Sequence, residues 1–279
     1  MVFRSLVRPF IDSSSGNSFM TTASPPIQAD VTTLDILKCV AVILMFADHI
    51  GLYVFDNAWL RIAGRPVAVI FGFLIGYSAS IRVPPVWIAL GIGLSLLNRS
   101  LFPSDTPHHL DILITLALTR LAMPHFERLY RTQPLLLVPA VGLLALLTDP
   151  MNEFLEYGSE VPIVALLGMA VRLDQGLTSE TTARHATALA ALIAIGLTTL
   201  GHFEFKGTHA ATCIALLGAT MITLANFRKT RVLVPASLAP LIHWTGRKTL
   251  LIYAAHMALL LLTAWAMLPD TDTAATGED

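Results

Sequence analysis

The run from Leu34 to Tyr53, LDILKCVAVILMFADHIGLY, constrains this chain more than any other stretch. Its 20 residues suffice to cross a hydrocarbon layer of roughly 30 Å as a helix, yet Asp35, Lys38, Asp48 and His49 sit inside it or at its margins. At about 100° per residue, Asp35, Lys38 and His49 fall on one helical face and Asp48 lies on its flank. That face cannot look at lipid, because ionisable groups in a membrane turn to a protein interior or a wet cavity.

Composition places the rest of the chain in the same environment. Of 279 residues 54% are hydrophobic and only 13% charged, about half the charged fraction of a soluble domain. The chain therefore reads as all-α, a polytopic integral membrane bundle. A net charge of -1 gives no footing for nucleic acid. The two cysteines, Cys39 and Cys213, lie in apolar segments without metal spacing and read as small core residues, with no metal implied.

Along the chain, residues 1–33 are rich in Ser, Thr and Pro. They read either as a disordered cytoplasmic arm or, in part, as sequence upstream of a start at Met20. After the first span, helices are expected over Arg61 to Ile81, Val86 to Leu101, His109 to Met123, Pro134 to Thr148, Val161 to Leu173, His185 to Leu200, His209 to Phe227 and Lys248 to Leu268. That makes about nine transmembrane helices within residues 34–268, followed by an acidic outer tail, 269–279. Gly72 and Gly76, one turn apart, predict close helix approach.

Basic residues set the orientation. With the amino terminus in the cytoplasm, only Arg61, Arg65, Arg99 and Lys206 of the 18 Lys and Arg residues lie on the outer side. Trp59, Trp87, Trp244 and Trp265 all fall near expected span ends, as an interfacial belt requires. The resulting polar seam has Lys38 and the basic run Arg228, Lys229, Arg231, Arg247 and Lys248 at the cytoplasmic mouth. His49, Tyr253 and His256 lie at depth. Asp48, Arg61, Arg65, Asp111 and the acidic loop Asp149, Glu153, Glu156 and Glu160 lie toward the outside.

These residues carry a resemblance. LDILK, the DHIG at 48–51, Gly64-Arg65 followed by FGFLI at 71–75, DILITLAL at 111–118, Tyr157-Gly158 and Tyr253-x-x-His256 resemble the TraX family over about Leu34 to Leu268. A proline that the family tends to place before its FxFL run stands earlier here, as Pro66. The resemblance implies a role in amino-terminal acetylation of conjugative pilin, and similarity to the wider group of membrane acyltransferases of acyltransferase-3 type.

Acyl transfer from a thioester needs a base for the acceptor's proton, a donor for the oxyanion and a cradle for an anionic carrier. His49 suits the first task. Neighbours on one helix point about 100° apart, so Asp111 or Glu156 across the bundle is a better orienter for it than Asp48. Arg65 or Tyr253 suits the second task, and the basic mouth suits the phosphates of acetyl-CoA or another acyl-CoA. Glu156, Tyr157 and Arg61 fall on the acceptor side, where pilin, glycan or lipid all fit. Each residue also has a plainer reading: His49 as a buried histidine bonded to a carbonyl, His256 bonded to Tyr253, Arg65 reaching the outer headgroups, and the basic run as a topology signal. The expectation is a multi-pass acyltransferase of the bacterial inner membrane; a proton-coupled transporter or channel using the same seam is the rival class.

Overall fold

The computed structural model describes residues 31–78, 80–102, 109–175, 181–203 and 205–267. The arm before residue 31, the tail 269–279 and His108 lie outside the described residues. Among the described residues the regular elements are helices, apart from a two-residue antiparallel clasp, β1 (Val31–Thr32) against β2 (Arg231–Val232).

Helix α1 (Thr33–Tyr53) starts with a capping box. The Thr32 hydroxyl accepts from the Asp35 amide, and the Asp35 carboxylate accepts from the Thr32 amide at 3.0 Å. Asp35 thus closes a helix end rather than lining a channel. The next span is interrupted: α2 (Ala58–Gly64) passes through Arg65 into α3 (Pro66–Tyr77), with Pro66 at the first helical position of α3. Three helices follow, α4 (Pro85–Leu101), α5 (Ile112–Thr132) and, after a 3₁₀ turn over Pro134–Leu136, the short α6 (Leu137–Leu146). Then come α7 (Thr148–Asn152), α8 (Glu160–Asp174), α9 (Thr181–Phe203), α10 (Gly207–Ala225) and α11 (Ala239–Ala266).

By length and composition, five of these segments could cross a membrane: α1, α2 with α3 as one 20-residue unit, the Thr181–Gly201 part of α9, α10 and α11. Helices α4 and α6, the latter with its 3₁₀ turn, are apolar but shorter. Helix α8 has 15 residues, almost all buried by protein. Two boundaries differ from expectation by more than four residues. Helix α5 runs on to Thr132 past Pro124 instead of ending at Met123, because its polar second half finds partners: Glu127 accepts from Arg131 at 2.8 Å and from Arg172 of α8 at 2.7 Å. Helix α11 begins at Ala239 rather than Lys248, so Arg247 and Lys248 stand two turns inside a helix and not at its mouth.

The core lies between α3 and α8. A Cβ on Gly76 would fall 1.8 Å from the Ala165 carbonyl oxygen, one on Gly168 would fall 2.2 Å from that of Phe73, and one on Gly72 would fall 2.9 Å from that of Val161. Backbones touch along this seam, as the Gly72-x-x-x-Gly76 spacing predicts. Around it, α1 packs on α2, α3 and α11, and α9 packs on α6, α8 and α10. Helices α1 and α11 run parallel: Cys39 reaches the Ile242 carbonyl near their starts, and His49 meets His256 about three turns further along α1 and four along α11.

Because backbone occupies the space at Gly76, Gly76→Ala is expected to lower stability by at least the roughly 1–3 kcal/mol of an overpacked core. Thermal unfolding in detergent measures it. Gly93, which faces open space, should accept Ala without loss.

Candidate active site

The site is built where five helices converge. Asp48 of α1 and Arg65, at the α2–α3 junction, form a doubly hydrogen-bonded ion pair whose side chains are only 2% and 5% exposed. Two glycines permit it. A Cβ on Gly64 would stand 2.2 Å from the Asp48 Cβ, and one on Gly51 would stand 2.7 Å from the Leu60 Cβ. The Asp-His-x-Gly and Gly-Arg motifs are therefore two halves of one contact.

His49 points about a quarter-turn away, toward α11. Its Nδ1 lies 3.1 Å from His256 Nε2, and the two rings stack with centroids 4.8 Å apart. Phe46 covers His256 at a centroid distance of 4.3 Å. Two nitrogens at hydrogen-bonding distance share one proton, so one imidazole donates and the other accepts. Three residues before His256, the Tyr253 hydroxyl donates to Asp111 Oδ2 at 2.7 Å. The other Asp111 oxygen caps α5 by accepting from the Leu113 amide at 2.9 Å.

The loop before α8 completes the wall. Leu110 and Leu155 form an isolated bridge, Glu156 accepts from the Ile112 amide at 2.9 Å, and the Glu156 carbonyl accepts from the Thr115 hydroxyl at 2.8 Å. Tyr157 and Gly158 then turn the chain with φ of +57° and +25°. A Cβ on Gly158 would meet Asn152 Oδ1 at 2.2 Å, so this turn requires glycine. Burial holds the loop carboxyl of Glu156 above the usual carboxylate range, with Asp48 adding to the rise and Arg65 opposing it. Beside these groups lies an open cavity of about 730 Å³ whose wall includes His49, Tyr53, Arg61, Arg65, Glu156 and Tyr157.

The structure brings Asp48, His49, Arg65, Asp111, Tyr253, His256, Glu156, Tyr157 and Arg61 to one place, but not with the pairings expected. Asp111 and Glu156 do not orient His49; His256 meets it instead, because that face of α1 is directed at α11. Arg65 is held by Asp48, and Tyr253 spends its hydroxyl on Asp111 rather than on His256. Lys38, Arg228, Lys229, Arg231, Arg247 and Lys248 gather at the opposite end of the bundle. There Thr33 binds the Arg228 carbonyl, Arg231 sits in the clasp, and Gly246 packs near Asp35 and Lys38. Apart from the half-buried Lys38 these basic residues are exposed, and none lines the cavity. Cys39 and Cys213 are free thiols. Tyr53, four residues after His49 and on the same helical face, lines the cavity although sequence reasoning overlooked it; the i,i+4 spacing was the available signal.

Apolar helices around a buried ion pair and a histidine-lined cavity define the class: a helical membrane protein with a polar site buried between its helices. Within that class the chain belongs to the TraX family, described as TraX protein, which matches residues 33–264. An uncharacterized protein of Rickettsia prowazekii (strain Madrid E) is 25% identical over 236 residues, covering 81% of this chain and 90% of that protein. No solved structure gives a significant match.

Removing one member of a buried ion pair strands the other charge. Asp48→Ala is therefore expected to cost about 3–5 kcal/mol, whereas Asp48→Leu combined with Arg65→Met should recover most of it. Unfolding midpoints of the three proteins in detergent decide this, and a wild-type midpoint for Asp48→Ala would remove the pair from the folding argument.

Proposed function

We propose that this protein is a membrane acyltransferase that moves an acetyl or other short acyl group from acyl-CoA to an acceptor entering the cavity. The observation that carries the reading is His49 in the cavity wall with His256 at hydrogen-bonding distance behind it. With Nδ1–H of His49 donating to His256 Nε2, the His49 Nε2 lone pair is left to take a proton from the acceptor, and His256 acts as the positioning residue. The acceptor's nitrogen or oxygen attacks the thioester carbonyl, His49 takes its proton, the C–S bond breaks, and the leaving sulfur regains that proton from His49.

Family membership supports the same direction, since the TraX family is associated with acetylation of conjugative pilin; the acceptor is then the pilin amino terminus, with glycan and lipid as alternatives. In this reading the chain crosses the bacterial inner membrane about nine times with its amino terminus in the cytoplasm. The cavity opens outward and the basic residues face the cytoplasm. Lys38 and His49 are 11 residues apart on one helix, so a carrier docked at the basic end must reach about 16 Å inward. Arg228, Lys229, Arg231, Arg247 and Lys248 receive its phosphates.

Purified protein in lipid vesicles, given acetyl-CoA labelled in the acetyl group, tests the reaction. Label should pass to a peptide with a free amino terminus, and His49→Ala or His49→Gln should lower turnover by roughly 10²- to 10⁴-fold while the protein stays folded. Proton flux through such vesicles without acetyl transfer would favour a transporter instead.

Topology is tested separately. A reporter fused after Arg231 should be active only in the cytoplasm, as the asymmetry of basic residues requires. Activity on the outer side would invert the placement of the cavity.

A further inference from the structure

We propose that Tyr53 is the catalytic residue that donates to the oxyanion, an assignment that rests on the acyltransferase reading. Acyl transfer builds negative charge on the thioester oxygen, and a site that performs it needs a hydrogen-bond donor aimed where that charge develops. The two donors expected from sequence are occupied. The Arg65 guanidinium is committed to both oxygens of Asp48, and the Tyr253 hydroxyl is committed to Asp111. Freeing either would leave a buried carboxylate without its partner.

Tyr53 is not committed. It stands one helical turn beyond His49 on α1, with the two ring centroids 6.3 Å apart and the rings edge to face. It is half-buried and lines the same cavity as His49. Its hydroxyl makes no hydrogen bond to another described residue. A phenol keeps its proton at neutral pH and can donate it, which a carboxylate on the same wall cannot do. Base and oxyanion donor thus come from the same face of one helix, which fixes their separation without relying on a loop.

In the step, the acceptor's lone pair forms the new bond to the carbonyl carbon and the C=O π electrons move onto oxygen, where the Tyr53 O–H donates to them. His49 holds the acceptor's proton. The electrons then re-form C=O, the C–S bond breaks, and the thiolate takes the proton back from His49. Tyr53 ends unchanged.

Tyr53→Phe removes only the oxygen. In vesicles supplied with acetyl-CoA and a short peptide bearing a free amino terminus, kcat is expected to fall roughly 10²- to 10³-fold with KM for both substrates held within about twofold. A drop in affinity at unchanged kcat, or wild-type turnover, would overturn the assignment. If the variant does not fold, fluorotyrosines placed at position 53 serve instead. Turnover at a pH where the phenols are protonated should rise with phenol acidity, and a flat series overturns the proposal. Absence of acetyl transfer by the wild-type protein would instead count against the acyltransferase reading itself.

Discussion

The buried pair between Asp48 and Arg65 governs how the helices around it can be arranged. Two charges removed from solvent are tolerable only when they meet with good geometry and few unsatisfied atoms. Here both carboxylate oxygens receive hydrogen bonds from the guanidinium. The helix carrying Arg65 must therefore approach α1 closely, and Gly64 and Gly51 are the residues that let backbone reach backbone there. Proline at the next position then sets the chain off as α3. One electrostatic requirement thus explains a glycine, a proline and an interruption in a span that is otherwise apolar.

Its consequence is a division of labour around the circumference of α1. Asp48 is turned to α2 and neutralised. His49, about 100° further on, is turned to α11 and meets His256. The same rotation brings Tyr253 to Asp111, whose second oxygen starts α5. Glu156 ties the loop before α8 to that same helix start. The motifs that stand out in sequence are joined to one another by specific hydrogen bonds or close glycine contacts. The cavity is the space these constraints leave over.

The two ends of the bundle differ in charge and in closure. Carboxylates, Arg61, Arg65 and His49 line the open cavity at one end. At the other, the clasp between β1 and β2, the capped start of α1 and the close packing of Gly246 on Asp35 hold exposed basic residues together. If the protein moves an acyl group as proposed, an anionic carrier and a cationic or neutral acceptor are drawn to opposite ends by simple electrostatics. His49 stands at the cavity end.

Much of this architecture is legible in the order of residues. The helical period places Asp35, Lys38 and His49 on one face and Asp48 beside it, and Gly72 with Gly76 announces a close contact, because local geometry depends only on neighbours in the chain. Helix ends are less legible: the extension of α5 past Pro124 depends on Arg172, far away in sequence, and the early start of α11 at Ala239 places Arg247 and Lys248 within a helix rather than at a mouth. Partner choice is not local at all. His49 and His256 are 207 residues apart and Tyr253 and Asp111 142 apart, and no local rule chooses among several buried polar groups of suitable chemistry. Chain order and helical geometry dictate which groups must avoid lipid and which face of α1 they occupy. The packing of α1 against α2 and α11 was needed to consume Arg65 on Asp48, to set His256 against His49, and to leave the Tyr53 hydroxyl to the cavity.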